Sequence, residues 1–178
     1  EDLFSSVVDK TVFELKEIIG AHFKLEKEEM DKLEKIATLD VRKINEKSDE
    51  YLEYFGVTEK NKAEDVEAVD QIIHFMYSNK EIVTLLAINS KGTKYEFFID
   101  ELVEVLEEHY TYLAKAICKL RGIDNIPQFL IHWVSHEQID IFVYLLTHID
   151  NEKEAKKLSA RIVNILYAGW FCLFGINQ

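Results

Sequence analysis

The sequence predicts an all-α protein, a single domain built as a helical bundle. Apolar residues recur at helical spacing along nearly the whole chain, and 48% of the residues are hydrophobic. Only one Pro and six Gly occur in 178 residues, and this scarcity favours long helices because both residues interrupt regular structure. A chain of this length buries one substantial core, so we expect one domain over residues 1–178.

The first half of the chain predicts two helices separated by a charged stretch. The first helix is expected from Asp2 to about His22. Its first apolar residues recur three and four positions apart: Phe4, Val7, Val8, Thr11, Val12 and Leu15. Residues 24–62 carry more charge, and we expect one or two charged helices there with a thin apolar seam, interrupted near Gly56. Another helix is predicted over residues 63–88, because two neighbouring apolar rows run along it.

A turn and a strongly amphipathic helix follow. The stretch NSKGTK predicts a turn over residues 89–94. The next helix is expected over residues 95–120, since its apolar and charged residues lie on opposite sides. Gly122 follows it at the place where glycine commonly ends a helix.

The last two helices are apolar on two sides. One is expected from Pro127, a residue suited to the first helical turn, to about Ile149; the other is capped by Asp150 and continues to about Phe174. A soluble helix that is apolar on two sides must be buried on two sides, so we expect a homodimer with a four-helix interface. The alternative is that both helices are central in a globular core. The expected interface residues are Phe129, Trp133, His136, Leu158, Ile162, Ile165, Gly169 and Cys172.

The net charge argues against nucleic acids and anionic membranes as partners of this chain. The net charge is −12, and such an acidic surface is repelled by phosphate backbones and by anionic membranes. No apolar run reaches membrane-spanning length without a charge, and no basic presequence is present, so we expect a soluble, cytoplasmic protein. Cys118 and Cys172 each lie in an apolar stretch and are expected to be buried free thiols.

The segment HWVSHEQID is the sharpest candidate for chemistry. His132 and His136 are one helical turn apart and Asp140 extends the row, a spacing that can chelate a divalent metal. The Glu of an H-E-x-x-H motif is missing, so we favour a polar seam, with a pH-sensitive interface as a further alternative. We expect no metal and no cofactor. No nucleophile elbow, phosphate loop or Glu-x-x-His pattern occurs, so we expect no catalytic residue and no enzyme.

Four segments resemble the carboxy-terminal domain of TetR/AcrR-family transcriptional regulators. EDLFSSVV resembles the end of the motif that closes the family's helix-turn-helix domain, the matching residues being Glu1, Leu3 and Phe4. DQIIHFMYSNKEIVTLL and YEFFIDELVEVLEEHY are similar to two successive family helices, and LSARIVNILYAGWFCLFG resembles the closing dimerisation helix. The resemblance implies that a DNA-reading domain precedes Glu1 and is absent from this chain, which would contact DNA only through it.

The resemblance also implies a cavity for a small, largely hydrophobic effector among the three middle helices. Its expected lining is Phe75, Phe98, Leu102 and Trp133 as walls, with His109 and Tyr110 as polar anchors. A satisfied core histidine is the alternative for His109. Effector binding would shift the first helix and the DNA-reading heads. A different function remains open: an α-helical interaction domain that docks a heterologous partner through its apolar C-terminal helical hairpin.

Overall fold

The computed structural model describes residues 3–39 and 59–175, which contain six α-helices and no strand. The helices are α1 (Leu3–Leu39), α2 (Glu59–Ser78), α3 (Lys80–Ile88), α4 (Phe98–Arg121), α5 (Gln128–His148) and α6 (Glu152–Cys172). The predicted all-α class is therefore confirmed. None of these helices combines the length and the apolar run that crossing a bilayer would require.

The first helices differ from the prediction at their ends. α1 continues well past His22 to Leu39, so part of the charged stretch is helical; the interruption expected near Gly56 lies outside the described residues. The single helix expected over residues 63–88 is two helices that meet at Asn79. The Asn79 side-chain amide donates a hydrogen bond to the Phe75 carbonyl at 2.9 Å, and such local bonds compete with the helical backbone.

The predicted turn is confirmed and extends to Phe97, so α4 begins three residues later than Tyr95. The Thr93 hydroxyl holds the turn: it donates to the Ser90 carbonyl at 2.6 Å and accepts from the Tyr95 amide at 3.1 Å. Gly122 ends α4 with a φ of 63°, a left-handed conformation that favours glycine. The prediction for this helix end is confirmed.

The cap of α6 is Asn151 rather than Asp150. The Asn151 side chain accepts a hydrogen bond from the Glu154 amide at 3.2 Å, the geometry of an N-cap. The Asp150 carboxylate instead accepts from Lys80 at 3.1 Å. Pro127 lies at the cap position of α5 with an extended backbone, so the helix proper begins at Gln128.

Two closely packed helix pairs make the bundle, α4 with α5 and α2 with α6. α1 packs against α2 and α4 and so joins the pairs, and α3 fills the end between α4 and α5. All six helices contribute to the main core cluster, and a smaller cluster around Cys118 and Phe174 closes the opposite end. α5 and α6 are not a closely packed pair within the described residues. Cys118 is a buried free thiol as predicted, whereas Cys172 is exposed, so its predicted burial is wrong.

Candidate functional site

Polar and aromatic side chains from five helices meet in one cluster, called here the polar cluster. Its members are His22, Phe23, Asp65, His109, Tyr110, Gln138, Tyr167 and Trp170. His109 and Tyr110 are site residues that the sequence predicts, whereas the hydrogen bonds that centre on Asp65 were not predicted. A local signal exists, because His22 and Asp65 continue the buried rows that contain Ile19 and Val69 at helical spacing.

Asp65 ties three helices together. Its Oδ1 lies 3.0 Å from His22 Nε2 on α1, and its Oδ2 accepts from the Tyr167 hydroxyl on α6. An ionised carboxylate only accepts hydrogen bonds, so His22 is the donor in this pair. The Asp65 side chain is 17% exposed, and a partly buried carboxylate gains more from such charged bonds than a solvated one. Asp65 therefore fixes α1 and α6 against α2.

His109 lies in a row of packed rings. It is buried and stacks on Phe23 of α1, with ring centroids 3.9 Å apart and planes 11° apart. The Tyr110 ring lies 4.9 Å from Trp170 of α6, and the Tyr110 hydroxyl donates to Gln138 of α5. This row brings the two expected polar anchors close to α1, α5 and α6.

An apolar cavity lies between α1, α2, α3, α4 and α5. Its volume is about 20 Å³ and every lining side chain is apolar. Leu15 and Ile19 of α1, Phe98 and Leu102 of α4, and Phe142 of α5 are among the lining residues. Such a volume holds about one water-sized group, so any larger ligand requires these side chains to move.

The structure brings only two of the six expected ligand residues to this cavity. Phe98 and Leu102 line it, and Phe75 packs against the main core cluster from another side. The two polar anchors belong to the polar cluster instead. Trp133 lies on the outer surface of α5, with 51% of its area exposed.

The residues expected at the dimer interface divide into two groups. Phe129 and Ile165 are 74% and 70% exposed, Trp133, Gly169 and Cys172 are also exposed, and His136 is half-buried. Leu158 and Ile162 instead pack against the main core cluster. Large apolar side chains of both α5 and α6 thus remain uncovered in the single chain, which is the condition for an interface between copies.

The two histidines of the α5 row lie close to carboxylates, and His132 is hydrogen-bonded to one of them. His132 Nδ1 lies 2.7 Å from Glu107 Oε2 on α4, and His136 Nδ1 lies 3.5 Å from Asp140 Oδ2. Gln128 donates to the other Glu107 oxygen at 2.6 Å. Across the described part of the chain, no group of three or more His, Cys, Asp or Glu side chains is arranged to hold a metal ion. The contacts of the row are therefore with a carboxylate of α4 and with one of its own helix.

Replacing Asp65 by Ala is expected to loosen α1 and α6 together. The substitution removes the two hydrogen bonds that the Asp65 carboxylate accepts from His22 and Tyr167, which should lower the free energy of unfolding by about 1–3 kcal/mol. Urea unfolding followed by circular dichroism measures this loss. Glu67→Ala, at an exposed position of the same helix, is the control and should change stability by less than about 0.5 kcal/mol. Equal effects of the two substitutions would contradict the role given to Asp65.

Replacing Glu107 by Gln is expected to change how stability depends on acid. Hydrogen bonds from His132 and then Gln128 lower the pKa of Glu107 below its ordinary value of 4.5. A carboxyl with a lowered folded-state pKa contributes stability above its unfolded-state pKa, and the contribution is lost as the pH falls through the folded-state value. Below pH 4.5, the wild type should therefore lose stability more steeply than the Glu107→Gln variant.

Urea unfolding at a series of pH values tests this difference. Glu108→Gln, on the exposed side of the same helix, should keep the wild-type slope. If Glu107→Gln keeps that slope as well, the bond to His132 does not contribute to folding.

Comparison with known proteins adds no relative for this arrangement. No protein-family model matches the sequence, and no curated protein and no solved structure matches the chain. Three features of the molecule itself bear on its function. They are the polar cluster, the apolar cavity, and the uncovered faces of α5 and α6.

Proposed function

We propose that the chain is the effector-sensing and dimerisation domain of a TetR-like transcriptional regulator that acts as a repressor. The observation that carries this proposal is the exposure of large apolar residues on α5 and α6, the two helices that the resemblance assigns to dimerisation. The described residues form helices without strands, as such a domain requires.

A second copy is the simplest cover for these faces. Burying one large apolar side chain contributes about 1.5–3 kcal/mol, and Phe129, Trp133 and Ile165 are each at least half exposed. Stable interfaces bury about 800 Å² on each partner, an area that two helices from each copy can supply. Because α5 packs chiefly on α4 and α6 on α2, each helix keeps a face for the partner.

The effector would enter the apolar cavity. The lining contains no polar side chain, which suits a small hydrophobic or aromatic molecule. Phe98 and Leu102 would have to move to admit it, and His109 and Tyr110 lie about two turns further along α4. Leu15 and Ile19 also line the cavity, so opening it would displace α1. A ligand changes the position of α1 only if it binds the two positions with different affinity.

DNA would be read by a helix-turn-helix domain preceding Glu1, as the resemblance implies. The net charge of −12 supports this division, since an acidic chain is a poor partner for phosphates. A displacement of α1 would then change the separation of two reading heads in the dimer. In this scheme α1 is the element that couples the effector site to DNA.

The second candidate is an α-helical interaction domain that docks a different protein through the apolar faces of α5 and α6. The same exposed residues favour it. The two candidates differ in what covers these faces, a second copy or another protein. They also differ in the residues that precede Glu1, because only the regulator requires a basic DNA-reading domain there.

The purified chain is expected to sediment as a homodimer. The double substitution Phe129→Asp and Ile165→Asp should produce a monomer, because each charge would be buried in the proposed interface. Ile88→Asp is the matched control: Ile88 is 55% exposed but lies on α3, so this variant should remain dimeric. A wild-type chain that stays monomeric at high concentration would refute the dimer, and one that aggregates would favour the interaction domain.

The cavity is expected to bind the uncharged dye phenylnaphthylamine, with a rise in dye fluorescence and in the unfolding temperature. Leu102→Phe should weaken binding about tenfold, or about 1.4 kcal/mol, because the larger ring fills the space. Leu85→Phe, at a residue that is 38% exposed on α3, should bind as the wild type does. Equal binding by both variants would place the dye elsewhere and remove the support for this effector site.

A further inference from the structure

α1 and the beginning of α4 lie side by side in one fixed register. Lys94 Nζ lies 2.8 Å from Asp9 Oδ2, and Lys16 donates to Glu101 further along the same two elements. Both ion pairs join residues that are 85 positions apart. The two elements therefore run in the same direction. Each residue of α1 in this region lies level with the residue 85 positions later in the chain.

Two exposed phenylalanines lie between these ion pairs. Phe13 on α1 is 63% exposed and Phe97 at the start of α4 is 60% exposed. The ion pairs join residues 85 positions apart, and Phe13 and Phe97 are separated by one position fewer. They therefore lie at nearly the same level, one on each side of the seam where α1 meets the start of α4. Their neighbours Val12 and Phe98 face inward, where Phe98 is buried and Val12 packs against the core. The seam thus presents two aromatic side chains to solvent, named here the Phe13–Phe97 patch.

The surroundings of the Phe13–Phe97 patch are acidic. Three lysines are neutralised by ion pairs, Asp9 with Lys94, Lys16 with Glu101, and Lys10 with Glu14. Three further carboxylates flank the patch: Glu17, Asp100 and Glu104. Each is exposed and takes part in no ion pair within the described residues. The rim therefore carries an uncompensated negative charge around an apolar centre.

We propose that the Phe13–Phe97 patch binds a basic amphipathic helix of a protein partner. An apolar centre with a charged rim is the arrangement of a protein interface, in which aromatic residues supply most of the binding energy and charges select the partner. A seam between two parallel elements suits a helix whose apolar side chains enter it. The carboxylates of the rim select a basic helix, because positive side chains complement their charge and acidic ones do not. This inference does not depend on the dimer or the effector.

A labelled synthetic helix of leucine and lysine is the probe, and fluorescence anisotropy measures its binding. We expect saturable binding whose affinity falls as salt increases. The double variant Phe13→Ser, Phe97→Ser should bind at least about tenfold more weakly, as expected for the loss of two aromatic anchors. Ile123→Ser is the matched control and should bind normally. Ile123 is 38% exposed and lies beyond the far end of α4, about 36 Å away along the helix.

A charge variant separates the two contributions. Glu17→Gln, Asp100→Asn and Glu104→Gln together should weaken binding and flatten its salt dependence, whereas the phenylalanine variant should keep the wild-type salt dependence. Circular dichroism checks the folding of each variant. If the phenylalanine variant loses helicity, the probe binding of the charge variant is the result that tests the proposal.

Any one of the following results would overturn the proposal. Unchanged binding by the charge variant, or by a folded phenylalanine variant, shows that the probe binds elsewhere. Equal binding of a leucine and glutamate helix removes the role of charge, and equal binding of a lysine helix without leucine removes the role of the patch. A change in sedimentation of the phenylalanine variant assigns the patch to self-association instead.

Discussion

The buried row of α1 is the contact on which the rest of the bundle depends. Val8, Leu15 and Ile19 pack against α2 and α4, and these helices in turn carry α6 and α5. Thr11 lies in the same row, and its hydroxyl donates to the Val7 carbonyl at 3.0 Å, so the row buries no unsatisfied group. Because α1 joins both helix pairs, a displacement of α1 changes the contacts of each of them.

Polar side chains in the interior hold the helices in place relative to one another. The Tyr77 hydroxyl of α2 lies within bonding distance of the Leu145 and Ile149 carbonyls at the end of α5, and burial raises the pKa of Tyr77. Asp65 does the same between α1, α2 and α6. No buried side-chain nitrogen or oxygen in the described part of the chain lacks a partner. The hydrogen bonds of Tyr77 and Asp65 therefore hold helices together. The cavity is lined by apolar side chains only, which suits an apolar molecule.

The uncovered apolar surface lies in two separate places. One is the outer face of α5 and α6, and the other is the seam between α1 and the start of α4. α1 connects the two surfaces. It forms one side of the seam, and Asp65 links it to α6 by hydrogen bonds with His22 and Tyr167.

The sequence by itself determined the all-helical class, the end of α4 at Gly122 and the apolar residues on two sides of the last two helices, because helical spacing and glycine preference act within a few residues. Only the tertiary structure decided which side of α6 meets α2, so that Leu158 packs inward and Ile165 remains exposed. It also showed that Asn151 caps α6, while Asp150 forms an exposed ion pair with Lys80 on α3. The polar cluster likewise required distant helices to meet. The spacing of residues along the sequence fixes which of them share one face of a helix. Which other helix that face contacts depends on the packing of the whole chain.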